Sequence, residues 1–319
     1  MPTDTPYPAI AVVGPTASGK SDLALYLAEA FDGEIVNYDS IQLFRLFNIG
    51  TAKPPESDRA RVPHHLIDIL DPHELFSAGD YQEMARRTLG EIRERGRVPI
   101  LVGGTGLYLR AVIDGLFDGP KRSPRLRTRL HATARVRGPD YVHAILRRLD
   151  PKTAARVAAP DLPKVIRAIE VRLETGRPLS SHLDVGPRRP NLEFAFHLVG
   201  LDPPREELNS RIGLRVRQMF EQGLVEEVQQ ILEQGISPDA AAFRAIGYRQ
   251  VLETIDGIIS TDEAIITTER DTRRYAKRQL TWFRKQHEPR WFDGFGTDPE
   301  IQESVRRDVT DALGRRVQD

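Results

Sequence analysis

The chain has 319 residues, 39% of them hydrophobic, which is enough for one large domain or for a core with an inserted domain. It contains no cysteine, and this excludes disulfide bonds, cysteine nucleophiles and thiolate-bound metals. Its 46 basic and 46 acidic residues give a formal net charge of +0, so the overall charge does not indicate a polyanionic partner. No apolar run is long enough to span a membrane and the N-terminus lacks a secretion signal, so we expect a cytoplasmic protein.

The first predicted strand, Ala9–Val13, runs into the sequence GPTASGKS and then into a helical pattern. In that sequence Gly14, Gly19, Lys20 and Ser21 match the phosphate-binding pattern G-x-x-x-x-G-K-[ST]. Backbone N–H groups of such a loop surround an anion, the lysine adds a positive charge, and the serine hydroxyl can ligate Mg²⁺. The sequence therefore predicts a phosphate-binding loop with Ser21 as a magnesium ligand.

Further apolar strands, at Gly33–Ser40, Val98–Gly106 and Phe194–Leu201, alternate with helical patterns. This alternation predicts a doubly wound parallel sheet, in which ligands bind at the carboxyl ends of the strands. Asp39 and Thr105 fall at two such ends. Asp39 is either a proton acceptor or a turn aspartate, and Thr105 either donates a hydroxyl to a substrate or only forms a turn.

The β pattern stops after about Phe117, and a mostly helical stretch follows before Phe194. We predict an α/β protein whose P-loop core comprises residues 1–118 and 189–319, with an all-helical domain inserted at 119–188 and a helical C-terminal region. Lys121–Asp150 carries nine basic and two acidic residues, and Arg270–Arg290 carries eight and two. Two such runs favour a polyanion as partner, although solvated helix faces give the same pattern.

Hydrolysis of a nucleotide is less well supported than group transfer. P-loop hydrolases place an Asp at the end of an apolar strand to support Mg²⁺, whereas the strand before Gly103 ends without a carboxylate. Asp68 either fills that role or serves as a hydrogen-bonded structural residue. Arg211 and Arg215 share one face of a helix, where one of them could neutralise a departing pyrophosphate or both could be surface residues.

Nine sequence blocks in order resemble bacterial tRNA dimethylallyltransferases, from about Ile10 to Phe292. They are GPTASGKS, NYDSIQLFRLFNIGTAKP, PHHLIDILDP, FSAGDYQ, LVGGTGLYLRAV, VIRAIEV, TGRPLS, AIGYRQ and TRRYAKRQLTWFRKQ. The resemblance implies transfer of a dimethylallyl group from its diphosphate to N6 of the adenosine 3′ of certain anticodons, with Mg²⁺. It also implies tRNA as partner, and we expect a monomer.

The resemblance further implies roles for individual residues. It makes Asp39 the general base, Thr105 a hydroxyl near the reacting centre, and Lys20 and Arg215 the cations beside the diphosphate. The implied diphosphate-binding residues are Gly14, Pro15, Thr16, Ala17, Ser18, Gly19, Lys20 and Ser21. The implied tRNA-binding residues are Asp39, Ser40, Ile41, Gln42, Thr105, Arg127, Pro163, Lys164, Val165, Ile166, Arg167, Arg244, Ala245, Ile246, Gly247, Tyr248, Arg249, Lys277, Arg278, Gln279, Leu280, Thr281, Trp282, Phe283 and Arg284.

Three other functions remain open from the sequence. The first is the same alkyl transfer to free adenine nucleotides, which leaves the basic insert without a purpose. The second is a small-molecule kinase that uses ATP in the same loop, with Asp39 as base for a hydroxyl acceptor. The third is a noncatalytic RNA-binding switch that binds a nucleotide.

Overall fold

The computed structural model describes residues 5–117, 119–120, 122–185 and 190–314. Asp118, Lys121 and residues 186–189 lie outside these ranges, and so do parts of the predicted domain borders and of the first basic run. In the described chain the strands are β1 (Tyr7–Val13), β2 (Gly33–Asn37), β3 (His64–His65), β4 (Val98–Val102), β5 (Phe194–Leu201) and β6 (Arg290–Phe292).

These strands form one sheet in the order β3-β2-β4-β1-β5-β6, and every neighbouring pair is parallel. The order confirms the predicted α/β class. Ile10 of β1 and Ile35 of β2 both pair with Ile100 of β4, so their side chains lie on one face of the sheet. All residues from Ala9 to Val13 are 0% exposed, because helices cover both faces, and this explains the uninterrupted apolar run.

Two short strands at the sheet edges are absent from the sequence prediction. β3 has two residues and β6 has three, too few for a period-two pattern to be recognised. β6 also corrects the prediction of a purely helical C-terminal region. Strands β2 and β4 end at Asn37 and Val102, earlier than the sequence predicts, because the polar residues that follow them form loops.

Helices make up most of the remaining structure. They are α1 (Lys20–Ala30), α2 (Glu56–Arg61), α3 (Ala78–Glu94), α4 (Gly106–Ile113), α5 (Pro124–Arg137), α6 (Pro139–Leu149), α7 (Pro151–Ala154), α8 (Leu162–Thr175), α9 (Leu179–Val185), α10 (Arg205–Glu221), α11 (Leu224–Glu233), α12 (Tyr248–Ile255), α13 (Thr261–Gln286) and α14 (Pro299–Gly314). The described helices include none that combines the length and the hydropathy needed for a membrane crossing.

Helix α13 is 26 residues long and matters most for the site. It begins at a capping box, in which the Ser260 side chain accepts from the Glu263 N–H and the Glu263 carboxylate accepts from the Ser260 N–H. The residues that it buries are Ala264, Thr268, Ala276, Gln279 and Phe283.

The chain divides into two compact units, residues 1–113 with 191–319, and residues 114–190. The first unit contains the sheet. The second, the insert, contains α5 to α9 around a small apolar core that includes Leu130, Val142 and Val165. Among its described residues the insert also buries two carboxylates, those of Asp150 and Glu170, which are 1% and 0% exposed.

Candidate active site

Three adjacent strands of the sheet end at one edge and position the predicted site. β1 leads into the phosphate loop, β2 leads to Asp39, and β4 leads to Thr105. Because β2, β4 and β1 are neighbours and parallel, their carboxyl ends bring these three segments together.

The phosphate loop adopts backbone conformations that its glycines permit. Gly14 and Gly19 have φ angles of 148° and 81°, and Ala17 between them has φ 63°. A Cβ atom at Gly19 would lie 2.9 Å from the backbone nitrogens of Gly296 and Thr297. The Gly296 N–H also donates to Ser18 O over 2.9 Å. The segment after β6 therefore packs directly against the phosphate loop.

Lys20 extends from the start of α1 into the loop and is 9% exposed. Its Nζ donates to the carbonyl oxygen of Pro15 over 2.5 Å. Burial, and then the positive charge of Arg215, lower the pKa of Lys20 to about 7, against a smaller raising effect of Asp39. An anion placed in the loop would favour the protonated form of this lysine.

Arg211 and Arg215 of α10 have different surroundings. The Arg211 guanidinium stacks on Phe295, 3.4 Å from the ring centroid, and donates to Thr297 Oγ1 over 2.9 Å. Arg215 borders both cavities of the site, and burial lowers its pKa while Asp22 and Asp39 partly offset the effect. Among the described residues Arg215 has no carboxylate within ion-pair distance, so its charge is available to an anion.

Asp39 is both a turn residue and a group that faces the cleft. Its Oδ1 accepts from the Ile41 N–H over 3.0 Å, and its own N–H donates to Asn37 Oδ1 over 2.9 Å. Burial raises the pKa of Asp39, while the N–H groups of the turn and the charges of Lys20 and Arg215 oppose the rise. A carboxylate with a raised pKa is a better proton acceptor than an ordinary aspartate.

The loop after β4 lies against this carboxylate. A Cβ atom at Gly104 would be 2.8 Å from Asp39 Oδ2 and 2.9 Å from Gln279 Nε2. Thr105 Oγ1 accepts from the Ser40 N–H over 3.0 Å and lies 3.1 Å from Ser40 Oγ. Thr105 therefore holds the turn that carries Asp39.

Two cavities open at this edge of the sheet, of about 740 Å³ and about 350 Å³. The larger contains the phosphate loop, including Lys20 and Ser21, and the smaller is bordered by Ile41, Ile246 and Arg278. The two cavities adjoin, because they share lining residues. The shared residues are Thr16, Ala17, Asp39, Thr51, Arg215, Met219 and Tyr275. An anion in the loop and a planar group in the smaller cavity would thus meet beside Asp39.

The structure separates the implied tRNA-binding residues of the core into three groups. Ser40, Ile41, Arg244, Ala245, Ile246 and Arg278 border the smaller cavity, and Gln42 borders the larger. Arg249, Lys277, Thr281 and Arg284 are exposed, while Leu280 and Trp282 are half-buried. The side chains of Tyr248, Gln279 and Phe283 are buried, and so is Gly247, although Gln279 also borders the larger cavity; contact of these residues with tRNA stays a prediction.

The implied tRNA-binding residues of the insert also differ in exposure. Val165 and Ile166 are 0% exposed in its apolar core, whereas Pro163 and Lys164 are exposed. Arg127 donates to both carboxylate oxygens of Glu170, over 2.9 and 3.0 Å, and Arg167 donates to Glu170 Oε2 over 2.7 Å. These arginines stabilise a buried carboxylate, which is a role that the sequence analysis does not anticipate.

A magnesium ion would rest on few protein ligands. Among the described residues no cluster of three or more His, Asp or Glu side chains could hold a metal. Asp68 is bound by Lys53 over 2.5 Å and by Arg59 over 2.8 Å, one cation at each oxygen, so it does not support Mg²⁺. Ser21 borders the larger cavity beside Asp22, and a hydroxyl in a diphosphate cradle fits the few protein ligands that Mg²⁺ takes.

Sequence reasoning assigns no role to Tyr275, Met219 or Thr51, which border both cavities. Tyr275 OH donates to Gly104 O over 2.9 Å, and burial raises the pKa of Tyr275. Tyr275 precedes Gln279 by one helical turn, and this spacing is the signal that could have revealed a shared face.

Residues 42–286 match the model of the IPP transferase family. A protein of Solibacter usitatus named tRNA dimethylallyltransferase is 51% identical over 309 residues, 97% of this chain and 100% of that protein. A solved tRNA isopentenylpyrophosphate transferase of Bacillus halodurans is 39% identical with a TM-score of 0.72, covering 98% of each chain. A eukaryotic dimethylallyltransferase described as acting on tRNA is 26% identical with a TM-score of 0.81, covering 97% of this chain and 80% of its own. With a family model that covers most of its length and relatives this similar, the chain belongs to the IPP transferase family.

Proposed function

We propose that this protein transfers a dimethylallyl group from dimethylallyl diphosphate to N6 of the adenosine 3′ of the anticodon in certain tRNAs, releasing pyrophosphate. The observation that carries the proposal is the pair of adjoining cavities, with the phosphate loop in one and Asp39 and Arg215 bordering both. This arrangement suits one substrate that supplies an anion and another that supplies a planar base.

The reaction forms two bonds, N6–C1 and the O–H bond on Asp39, and breaks two, C1–O and N6–H. N6 of the adenine attacks C1 of the dimethylallyl group, and the C1–O bond to the diphosphate breaks. The N6 proton passes to Asp39, whose raised pKa suits it as a base. The negative charge that develops on the departing pyrophosphate meets the loop N–H groups, Lys20 and Arg215.

Thr105 supports this geometry through Ser40 and borders the turn of Asp39. Ser21 would hold a Mg²⁺ ion together with diphosphate oxygens, and the ion would supply charge neutralisation for the leaving group. The loop serves here as a cradle for a leaving group, so the reaction needs no ATP.

The RNA would reach the site from the side of the smaller cavity. Arg278 borders that cavity, and Lys277, Thr281 and Arg284 are exposed on the same helix. Exposed cations at helical spacing suit RNA phosphates, and the adenine must leave its stack to reach the cavity. A tRNA substrate suits a cytoplasmic protein, and we expect a monomer to suffice because the phosphate loop, Asp39 and Arg215 border two adjoining cavities.

The proposal is tested by incubating the protein with labelled dimethylallyl diphosphate and tRNA. The matched control is the same tRNA with guanosine in place of the adenosine 3′ of the anticodon. We expect label on the first RNA and none on the second. Label on free adenine nucleotides alone would indicate the nucleotide-modifying alternative, and phosphate transfer from labelled ATP would indicate a kinase.

A further inference from the structure

A buried glutamine joins the two loops of the active site. Gln279 lies on α13 and is 4% exposed. Its Oε1 accepts from the Thr16 N–H of the phosphate loop over 2.8 Å, and its Nε2 donates to the Gly104 carbonyl oxygen over 3.0 Å. One side chain thereby bridges the segment after β1 and the segment after β4.

The two segments that Gln279 joins carry opposite halves of the proposed chemistry. Thr16 lies in the phosphate loop, before the backbone N–H groups that would surround an anion. Gly104 lies directly against Asp39, since a Cβ atom added there would be 2.8 Å from Asp39 Oδ2. The Tyr275 hydroxyl donates to the same Gly104 oxygen over 2.9 Å, so α13 holds this loop at two points one turn apart.

The phosphate loop needs an external support of this kind. Ala17, the residue after Thr16, has φ 63°, a conformation that costs free energy in a residue other than glycine. Strained backbone persists only where the surroundings fix it. The partly buried hydrogen bond from the Thr16 N–H to Gln279 is such a constraint, because it fixes the residue directly before Ala17.

Helix α13 has different faces for the two tasks. Gln279 lies on the buried face with Ala276 and Phe283, whereas Lys277 and Arg278 are exposed. The resemblance of the sequence places Lys277, Arg278, Gln279 and Phe283 together in one RNA-binding run. The burial of Gln279 separates it from that run.

We infer that Gln279 is a positioning residue that holds the phosphate loop and the Gly104 loop in register, and that it does not bind RNA. The part of this inference that concerns catalysis rests on the proposed function. Its direct consequence is that removing the Gln279 amide weakens diphosphate binding and slows transfer but leaves the affinity for tRNA unchanged.

The test uses Gln279→Met, which keeps the length of the side chain and removes both hydrogen bonds. Gln279→Asn keeps the amide but is one methylene shorter and cannot span both loops. The matched control is Gln286→Met, because Gln286 lies two turns further along α13 and its Oε1 accepts from Arg110 over 3.2 Å. Calorimetry with inorganic pyrophosphate and Mg²⁺, without RNA, measures the loop directly.

For both Gln279 variants we expect pyrophosphate affinity and kcat to fall about tenfold, the effect of losing one or both of the hydrogen bonds to Thr16 and Gly104. We expect the dissociation constant for tRNA to stay within about twofold of the wild type, and Gln286→Met to match the wild type throughout. Should Gln279→Met fail to fold, Gln279→Asn decides the question.

Two results would overturn the inference. In the first, tRNA affinity falls and pyrophosphate affinity is unchanged or tighter, which would make Gln279 an RNA contact. In the second, pyrophosphate and tRNA affinity fall together with a lower Tm, which would make the role generally structural. Wild-type protein that binds pyrophosphate but transfers nothing to tRNA would remove the proposed function while the pyrophosphate comparison still decides the role of Gln279.

Discussion

The active-site cleft and the insert both bury charged groups, but these groups are ion-paired in the insert and incompletely paired in the cleft. In the insert, Glu170 is neutralised by Arg127 and Arg167, which hold the pKa of that carboxyl at about 2. In the cleft, burial shifts the pKa of Lys20 down to about 7 and that of Asp39 upward. Charges that stabilise a fold are paired within it, whereas charges kept for substrates are left incompletely paired.

The largest effect is expected from removing the base of the cleft. Asp39→Asn should lower turnover by roughly two to four orders of magnitude, because general-base catalysis contributes about that much. Asparagine can still accept the Ile41 N–H, so the turn and tRNA affinity should remain. Single-turnover transfer assays measure this, with the exposed Asp71→Asn as control; an unimpaired Asp39→Asn would remove Asp39 from the mechanism.

The next effect should come from Arg215, which has no carboxylate within ion-pair distance among the residues that the structure describes. Arg215→Met should slow transfer by about two orders of magnitude and weaken pyrophosphate binding, as loss of a donor to a developing charge does. Arg217→Met is the matched control, since Arg217 lies on the same helix and pairs with Glu269 over 3.3 Å. Equal rates for the two variants would show that Arg215 does not assist the leaving group.

A smaller and different effect is expected from the insert. Glu170→Gln should destabilise it by about 3 kcal/mol, because two arginines lose the buried carboxylate that they surround. Hydrogen exchange in α5 and α8 measures this, with the exposed Glu174→Gln one turn later on α8 as control. The pyrophosphate affinity of the cleft should not change; if it did, the distinction between the two regions would fail.

The smallest effect concerns pH. With a pKa of about 7, Lys20 is mostly neutral in the empty cleft at about pH 8, and a bound anion restores its charge. Pyrophosphate binding should therefore take up a proton at that pH, and its affinity should fall by up to about tenfold per pH unit above neutrality. Calorimetry in buffers of different ionisation enthalpy measures the uptake. Lys20→Met corrects for the titration of pyrophosphate itself, and identical uptake in both proteins would contradict the prediction.

The sequence predicts the frame of the site better than its contacts. The phosphate loop, Asp39 and Thr105 are predictable because each follows an apolar strand, and parallel strands end at one edge. The roles of Arg127 and Gln279 are not predictable from pattern. An arginine that pairs with a buried glutamate 43 residues away reads in sequence as a surface charge, and a polar residue within a basic run reads as part of an RNA-binding face.

Two edge strands were also beyond prediction, since β3 and β6 are set by pairing with a neighbour and not by their own pattern. Asp68 shows the same limit in a side chain. Its sequence position allows a metal ligand, but Lys53 and Arg59 reach it from segments whose approach only the fold determines.

The most direct test of this account is the free energy of unfolding of Asp39→Asn near neutral pH. It shows whether the ionised Asp39 carboxylate destabilises the fold. Because folding raises the pKa of Asp39, this carboxyl stabilises the fold only at low pH, and the contribution is lost as the pH rises through the folded value. Near neutrality the ionised group opposes folding, so the variant should be as stable as the wild type or more stable by up to about 1 kcal/mol. A loss of about 3 kcal/mol, as expected for Glu170→Gln, would show that Asp39 is a structural charge like that of the insert.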